Sequence, residues 1–238
     1  MRTFNYEIEN GEVKITGYNG KAKRIIVPSE IDGLPVTKIG CDAFYKVQCE
    51  SVVLPDSVKI LETESFCDCT LRKIKLSSNL EEIGSYAFMD CISLTSITIP
   101  DSVIKIECGV FEGCDELEKI KLPNNLEAIP SSIFNGCIAL TSITIPDSVT
   151  VIEEWAFRDC SSLYNVTIPD TVTTIGSEAF YGCIMLWSIT IPDSVTSIGK
   201  NIFGGGSPKL KVNMSQELQN KLIEKFMKGE VLESVYDD

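Results

Sequence analysis

The sequence predicts an α/β repeat protein, a solenoid in which eight coils of similar sequence stack on one another. The ten residues LTSITIPDSV occur at 94–103 and again at 140–149, and LWSITIPDSV follows at 186. A proline recurs every 23 residues, at Pro100, Pro123, Pro146, Pro169 and Pro192. A fixed period of about 20 to 30 residues with one short extended segment per unit is typical of a solenoid, because no coil can bury its apolar side alone.

The coils, aligned under one another, form apolar columns. An isoleucine or leucine precedes a phenylalanine by five residues in each of the eight coils: Ile39 and Phe44, Leu61 and Phe66, Ile83 and Phe88, Ile106 and Phe111, Ile129 and Phe134, Ile152 and Phe157, Ile175 and Phe180, Ile198 and Phe203. The first coil carries an insertion, EIDGLPV, which we expect to loop outward, and Ser77 replaces the proline of the third coil. The irregular coils therefore lie near the start of the stack.

The S-I-T-I-P segment alternates polar and apolar residues, which predicts a short strand with one buried face. The proline ends the strand because it lacks an N–H donor, and the Asp-Ser pair after it favours a turn. The second half of a coil, such as TSIGSEAFYGC, predicts a short extended piece and one helical turn on the opposite side. Stacked coils therefore give a parallel sheet with one face on the core and the other face open.

The N-terminal end of the stack needs a cover for its apolar interior. The segments FNYEIE and EVKITGY flank Asn10-Gly11, a dipeptide that suits a two-residue hairpin turn. The sequence therefore predicts a capping hairpin over residues 1–22, followed by the solenoid over residues 23–212.

The C-terminal end has a second candidate cover, over residues 213–238. Ser215 can act as the N-cap of a helix in which Leu218, Leu222 and Phe226 recur at four-residue spacing, with Gly229 as its stop. We expect a capping helix and a tail.

The consensus L-x-x-I-x-I-P-x-x-V-x-x-I-x-x-x-A-F-x-x-C resembles the leucine-rich repeat of BspA-type bacterial proteins. The opening YEIENGEVKITGYNG resembles the capping segment of many of them, and the resemblance covers residues 4 to about 212. It implies a right-handed leucine-rich-repeat solenoid with the parallel sheet on its concave face. It also implies a protein found on or outside bacterial cells, with adhesion to host or matrix proteins for some members.

Charge and hydropathy exclude several classes of partner. The chain has 21 Lys and Arg residues and 34 Asp and Glu residues, and the net charge of −13 argues against nucleic acid or an anionic membrane. No apolar run reaches the roughly 18 residues needed to cross a bilayer. The N-terminus MRTFNYEIEN lacks the apolar segment of a signal peptide. A secreted or cell-surface location is thus expected from the resemblance alone, a removed leader and a cytoplasmic location both stay open, and we expect a monomer.

Six of the ten cysteines form one column, three residues after a phenylalanine: Cys69, Cys91, Cys114, Cys137, Cys160 and Cys183. We expect a structural ladder of small, buried thiols. A chain of disulfides is the alternative, although parallel Cβ vectors suit the disulfide dihedral poorly. Zinc is disfavoured because the chain has no histidine and no C-x-x-C. Cys67 is predicted to lie on the outward side, where its thiol would be reactive.

The sequence contains no catalytic signature. The absence of histidine excludes Ser-His-Asp and Cys-His catalysis, and Gly204-Gly205-Gly206 follows a phenylalanine instead of the strand that a phosphate loop requires. Catalytic carboxylates need two unlike environments, whereas one column of aspartates repeats a single environment: Asp56, Asp101, Asp147, Asp170 and Asp193. We expect these aspartates to serve the turns, with calcium bridging between neighbours left open, and we expect no enzyme activity and no cofactor.

The outward positions at which the coils differ indicate a binding surface. Four lysines lie on the open sheet of an acidic protein, and two aromatic residues occupy one column in adjacent coils. The candidate ligand-binding residues are Lys73, Lys75, Thr98, Lys119, Lys121, Thr144, Tyr164, Thr167, Trp187 and Thr190. The alternative is an ordinary solvated sheet, since threonine is a good strand former. Trp155, on the opposite side, is either partly packed or a second contact.

The expected function is that of a non-catalytic binding module whose concave sheet binds a protein or a glycan, in cell-surface adhesion or host interaction. An intracellular interaction scaffold or inhibitor is the alternative. A β-solenoid enzyme acting on a polysaccharide is disfavoured because the outward strand columns lack carboxylates, apart from Glu50 and Glu118 near the margin.

Overall fold

The computed structural model describes residues 3–227, with side chains described as far as residue 221. These residues form a stack of coils with parallel strands, so the predicted solenoid is confirmed. The elements are β1 (Phe4–Glu9), β2 (Glu12–Tyr18), β3 (Arg24–Ile26), β4 (Glu30–Ile31), β5 (Leu34–Ile39), β6 (Ser51–Val53), β7 (Ile60–Leu61), β8 (Lys73–Lys75), β9 (Glu82–Ile83), β10 (Ser96–Thr98), β11 (Lys105–Ile106), β12 (Lys119–Lys121), β13 (Ala128–Ile129), β14 (Ser142–Thr144), β15 (Val151–Ile152), β16 (Asn165–Thr167), β17 (Thr174–Ile175), β18 (Ser188–Thr190), β19 (Ser197–Ile198), β20 (Lys211–Asn213) and α1 (Gln216–Met227).

A hairpin begins the chain. Strands β1 and β2 pair antiparallel, and Asn10 and Gly11 between them have φ values of 51° and 80°, as a primed two-residue turn requires. Strand β2 then pairs in parallel with β5, and the ring of Tyr18 stacks on that of Phe44 with centroids 5.8 Å apart. The hairpin therefore covers the first phenylalanine of the stack.

The insertion in the first coil forms a second hairpin. Strand β4 pairs antiparallel with β5, and Asp32 and Gly33 form its turn with φ values of 52° and 75°. The expected outward loop is thus an ordered structure, because the Asp-Gly pair supplies the two left-handed residues of a tight turn. Strand β5 then continues into the stack by pairing with β7.

Each coil contributes a three-residue strand to one side of the solenoid. These strands are β3, β6, β8, β10, β12, β14, β16, β18 and β20, and where they pair, the register is direct, with Ser96 opposite Lys119 and Thr98 opposite Lys121. Strand β20 pairs with β18 and adds a rung beyond the eight predicted coils. The outward first and third residues of these nine strands form what we call the strand face.

A second row of short strands runs along another side of the solenoid, and it has one break. It comprises β5, β7, β9 and β11, and then β13, β15, β17 and β19. A backbone N–H beyond each strand normally donates to the preceding coil, as from Glu153 to the carbonyl of Ile129 at 2.9 Å. Pro130 occupies this position in the fifth coil and has no N–H. The carbonyl of Ile106 therefore lacks this bond, and β13 does not pair with β11.

The phenylalanines form a continuous stack on the remaining side. Successive ring centroids from Phe44 to Phe203 lie 4.7 to 6.0 Å apart, with nearly parallel planes. The rings from Phe44 to Phe180 are fully buried. This column is part of one hydrophobic core that runs through the whole stack, and it ties each coil to the next.

The segment around each phenylalanine consists of turns, not of the helical turn that the sequence suggests. The N–H groups of Tyr86, Phe88 and Asp90 donate to carbonyls of the next coil at 2.8 to 2.9 Å, and Tyr86 and Asp90 have φ values of 58° and 55°. Other coils repeat this pattern. A helix would use these N–H groups within one coil, whereas left-handed residues two before and two after phenylalanine direct alternate groups to the neighbouring coil.

Helix α1 follows the last rung. The Oγ atom of Ser215 accepts a hydrogen bond from the N–H of Leu218 at 3.1 Å, which is the N-cap arrangement, and Leu218 is buried against the core. Leu222 and Phe226 belong to the helix, but their side chains, and Gly229 altogether, lie outside the described residues. Leu218 is therefore the described contact between the helix and the last coil.

Candidate binding surface

The strand face and the positions directly before its strands expose every residue that the sequence analysis selected. Alternation along each strand points the central residue inward and its two neighbours outward, as in β14, where Ile143 is 7% exposed between Ser142 and Thr144. The predicted ligand-binding residues are all exposed: Lys73, Lys75, Thr98, Lys119, Lys121, Thr144, Tyr164, Thr167, Trp187 and Thr190.

The two columns of the strand face carry six cations and no carboxylate. The cations are Arg24, Lys73, Lys75, Lys119, Lys121 and Lys211. None of the five lysines forms an ion pair with a described side chain. In a chain with 34 acidic and 21 basic residues, this face is therefore a separate positive surface.

Lys211 was missed by the sequence analysis. Its strand lacks the leucine and the proline of the regular coils, so it was not included in the repeat. The available signal is the spacing, because Lys211 follows Ser188 by one period and lies opposite it in the sheet.

Two lysines line a shallow depression on the third and fourth coils. Lys73 and Lys75 flank the partly exposed Ile74 in β8, and Lys119 and Lys121 repeat this arrangement two coils later. The depression has a volume of about 480 Å³, and Lys73, Lys75, Ser96 and Thr98 all line it. The site is open, its lining mixes polar and apolar side chains, and the carboxylate of Asp56 also lines it.

Two aromatic residues stand at the margin of the strand face. Tyr164 and Trp187 directly precede β16 and β18 in adjacent coils, and they are 56% and 60% exposed. No ring contact joins the two among the described residues. Ile184 and Met185 are also exposed in the turn before Trp187. The margin of the strand face therefore carries several exposed apolar side chains in the seventh and eighth coils.

The cysteine column is buried along its length. Each thiol donates a hydrogen bond to the carbonyl of a residue in the preceding coil, as from Cys137 to Phe111 at 3.1 Å and from Cys183 to Phe157 at 3.2 Å. Burial raises the pKa of these thiols, that of Cys183 to about 12. The members are Cys69, Cys91, Cys114, Cys137, Cys160 and Cys183. Burial and hydrogen bonding of these thiols agree with the expected ladder, and the raised pKa disfavours their thiolate form.

The outward position predicted for Cys67 is wrong. Its side chain is 5% exposed, and burial, together with the nearby carboxylate of Asp68, raises the pKa of its thiol to about 11. Its column holds Tyr45 in the coil before and Met89 in the coil after, so a short thiol between two longer side chains is shielded from solvent. The exposed cysteine is Cys41 instead.

The aspartates that follow the strands bond to the next coil. Asp56 accepts hydrogen bonds from the N–H and the hydroxyl of Ser78 at 3.0 and 2.9 Å, which lowers the pKa of its carboxyl. Asp101 accepts the N–H of Asn124 at 3.0 Å. Among the side chains that the structure describes, up to residue 221, no group of three or more potential metal ligands has a binding arrangement. At these two positions the aspartate acts as a turn residue.

Trp155 lies on the phenylalanine side and is partly packed. The guanidinium of Arg158 lies 5.9 Å from the centre of its ring and 4.7 Å from that of Tyr181, and Arg158 also pairs with Glu178. Trp155 remains 38% exposed. It therefore belongs to a cluster centred on Arg158, on the phenylalanine side of the solenoid and not on the strand face.

Comparison with known proteins identifies relatives over nearly the whole chain. The model of the BspA-type leucine-rich repeat region matches residues 37–163 and 127–236, with six copies. The crystal structure of a leucine-rich repeat protein from T. pallidum is 31% identical and covers 93% of this chain and 92% of its own, with a TM-score of 0.63. A leucine-rich repeat protein from Bacteroides ovatus is 24% identical over 91% of this chain and 67% of its own, with a TM-score of 0.66, and shows the fold alone.

A search of curated proteins gave no match. Across the described residues, no helix has the length and apolar character that crossing a membrane requires.

Proposed function

The chain belongs to the BspA-type leucine-rich repeat family, and we propose that it is a non-catalytic binding module whose strand face holds a protein or glycan partner. The observation that carries the proposal is the composition of this face, which has basic and neutral polar side chains but no acidic ones. Six cations and ten hydroxyl or amide side chains occupy its two columns without a carboxylate, and Tyr164 and Trp187 stand exposed beside them.

A preformed sheet suits this task. Backbone hydrogen bonds between coils hold the sheet in one conformation, so binding does not include the free-energy cost of ordering it. The lysines increase the association rate of an anionic partner through the long-range field, while the aromatic side chains supply affinity when they are desolvated. On this face the lysines therefore act at long range on the association rate, and the aromatic side chains act at short range on the affinity.

The proposed setting is the bacterial cell surface or its surroundings, where the module contributes to adhesion or host interaction. The resemblance to BspA-type proteins supports this setting. One observation favours a second candidate, an intracellular interaction scaffold or inhibitor: all ten cysteines are free thiols, which are common in reducing compartments.

The test uses a ligand recovered by pull-down with cell-surface or matrix extracts. Trp187→Ala combined with Tyr164→Ala is expected to lower the affinity about fivefold or more, since exposed aromatic residues dominate such contacts. Lys75→Glu combined with Lys121→Glu is expected mainly to slow association and to reduce its salt dependence.

The matched control is Trp155→Ala, which removes an exposed aromatic residue from the opposite side and is expected to leave binding unchanged. If a ligand still binds after the changes at Tyr164, Trp187, Lys75 and Lys121, but no longer binds after Trp155→Ala, the site lies on the phenylalanine side.

A further inference from the structure

We propose that the partner of the strand face is an acidic polysaccharide, carrying uronate or sulfate groups, which lies along the solenoid axis over the third to eighth coils. This inference rests on the function proposed above and specifies its ligand.

The composition of the strand face favours a polysaccharide over a protein. Of its 18 outward side chains, six are cationic, ten carry a hydroxyl or an amide, and the two that are apolar, Ile26 and Val53, lie in the first two coils. Protein interfaces have an apolar core and are depleted in lysine. A chain of sugar rings instead presents hydroxyls and anionic groups along its whole length, so each of its units meets a suitable donor or acceptor.

The spacing of the charges suits a ligand that repeats. The two lysines of one strand are separated by about 7 Å along the strand, and equivalent lysines two coils apart by about 10 Å. Lys73 and Lys75 line the depression of about 480 Å³, with Asp56 at its border, and Lys119 and Lys121 repeat the lysine pair two coils further along. A polymer with acid groups about 10 Å apart therefore meets one lysine pair in the third coil and a second in the fifth.

The face continues beyond the lysines as a polar track. A second depression of about 400 Å³ is lined by Ser142, Thr144, Asn165 and Thr167. Asp147 borders it on one side. Because its carboxylate repels an anionic chain, the ligand is confined to the two outward columns and passes toward the aromatic margin.

Tyr164 and Trp187 complete the track. Each residue directly precedes a strand, the two strands belong to adjacent coils, and more than half of the surface of each residue is exposed. The apolar faces of sugar rings pack on such aromatic rings, which is how a polar ligand gains contact area without apolar side chains. The lysines therefore bind the acid groups, and the aromatic residues bind the rings.

The experiment measures binding of the whole chain to five probes: a heparin oligosaccharide of defined length, polygalacturonate, neutral dextran, poly-glutamate and a DNA oligonucleotide. One or both of the acidic polysaccharides are expected to bind, more weakly as salt increases, and dextran is expected not to bind. Binding of heparin alone assigns sulfate as the recognised group, and binding of polygalacturonate alone assigns uronate.

The variant Lys73→Gln, Lys75→Gln, Lys119→Gln, Lys121→Gln is expected to lose roughly tenfold or more in affinity for the bound polysaccharide. The matched control changes four lysines outside the strand face, Lys59, Lys105, Lys200 and Lys221, to Gln. It alters the net charge equally and is expected to change affinity less than about twofold. Thermal unfolding of both variants verifies that they fold.

Two outcomes overturn the proposal while the proposed function stands. In the first, poly-glutamate or DNA binds as tightly as the polysaccharides, with the same dependence on the four lysines, which assigns an acidic protein or a nucleic acid to this face. Alternatively, no acidic polysaccharide binds, or the control variant loses as much affinity as the strand-face variant. In either case the pull-down experiment above decides independently whether the strand face binds a partner.

Discussion

The thiol of Cys114 donates a hydrogen bond to the carbonyl oxygen of Phe88 in the preceding coil, at 3.2 Å. The same oxygen accepts the backbone N–H of Cys91 at 3.2 Å. One phenylalanine carbonyl thus joins two coils, and the donor that reaches it is a small side chain that fits a fully buried corner. Cysteine meets both requirements, which explains its recurrence better than packing alone.

Substitutions at Cys137 should therefore separate size from hydrogen bonding. Cys137→Ala removes a weak donor and little volume, so we expect a loss of about 1 kcal/mol in the free energy of unfolding. Cys137→Val adds a methyl group to a closed corner and is expected to lose about 1 to 3 kcal/mol. Chemical denaturation measures both, with the exposed Cys41→Ala as the unaffected control. A valine variant as stable as the native protein would contradict a tight corner.

The register of the strands predicts opposite outcomes at neighbouring positions. Ile143→Asp places a charge in the buried column and is expected to reduce the free energy of unfolding by about 3 to 5 kcal/mol. Thr144→Asp, on the strand face, is expected to lose less than about 1 kcal/mol. Equal shifts in melting temperature would show that the inward and outward residues are misassigned.

Ser65 offers a stabilising change. Its side chain is fully buried, its hydroxyl has no hydrogen-bond partner among the described residues, and the equivalent residues of the adjacent coils are Ala43 and Ala87. Ser65→Ala removes an unsatisfied polar group and is expected to raise the free energy of unfolding by about 1 kcal/mol.

The control for Ser65 is Ser77→Ala, also fully buried. The Oγ atom of Ser77 accepts the N–H of Asn79 at 3.1 Å, so its loss is expected to destabilise the protein. Thermal unfolding of the two variants should therefore shift in opposite directions.

Pro130→Gln should close the break between β11 and β13. Glutamine supplies the N–H that Pro130 lacks, so the carbonyl of Ile106 gains the bond that Ile129 receives from Glu153. We expect slower amide hydrogen exchange at Ala128, which lies beside the break. The change in the free energy of unfolding is expected to stay within about 1 kcal/mol, because the new bond is offset by the lost restraint of proline.

The control for this variant is Pro146→Gln, which removes a proline that ends a strand. Exchange at Ala128 is expected to be unchanged there. Equal protection in both variants would show that Pro130 does not cause the break.

Cys41 should be the most accessible thiol, with a rate set by Glu62. Burial raises the pKa of the Cys41 thiol, and so does its hydrogen bond to the Glu62 carboxylate at 3.5 Å. A raised pKa leaves less thiolate at pH 8, so labelling is slow there and accelerates as the pH rises. Glu62→Gln removes the charge, lowers the pKa of Cys41, and is expected to increase its labelling rate at pH 8 several-fold.

Mass spectrometry of the labelled native protein measures this rate and provides its own control. Labelling of the partly exposed Cys108 is expected not to respond to Glu62→Gln, and the eight buried cysteines are expected to react only after denaturation. Prompt labelling of Cys67 in the native protein would contradict its buried position.

The sequence alone determined the architecture because the repeat acts as an internal alignment. A constant period places each residue beside its equivalent in the next coil, so apolar columns such as those of Ile143 and Phe157 can be assigned to the interior without coordinates. The same alignment predicts which columns face outward, and the structure exposes the ten residues selected there. Whether they bind a ligand stays a prediction.

Only the tertiary structure decided the features that depend on two neighbouring coils at once. Cys67 is buried because of what flanks it, and the second row of strands breaks at Pro130 because the next coil lacks one donor. The turns at phenylalanine follow the same principle. Two residues after phenylalanine, seven of the eight coils carry Asp or Gly, which favour the left-handed region. Two residues before it, the left-handed residues share no side-chain type, as Tyr86 and Trp155 show, so local propensity does not reveal them. They adopt this conformation because it directs their backbone N–H groups to the carbonyl oxygens of the adjacent coil, which need a donor.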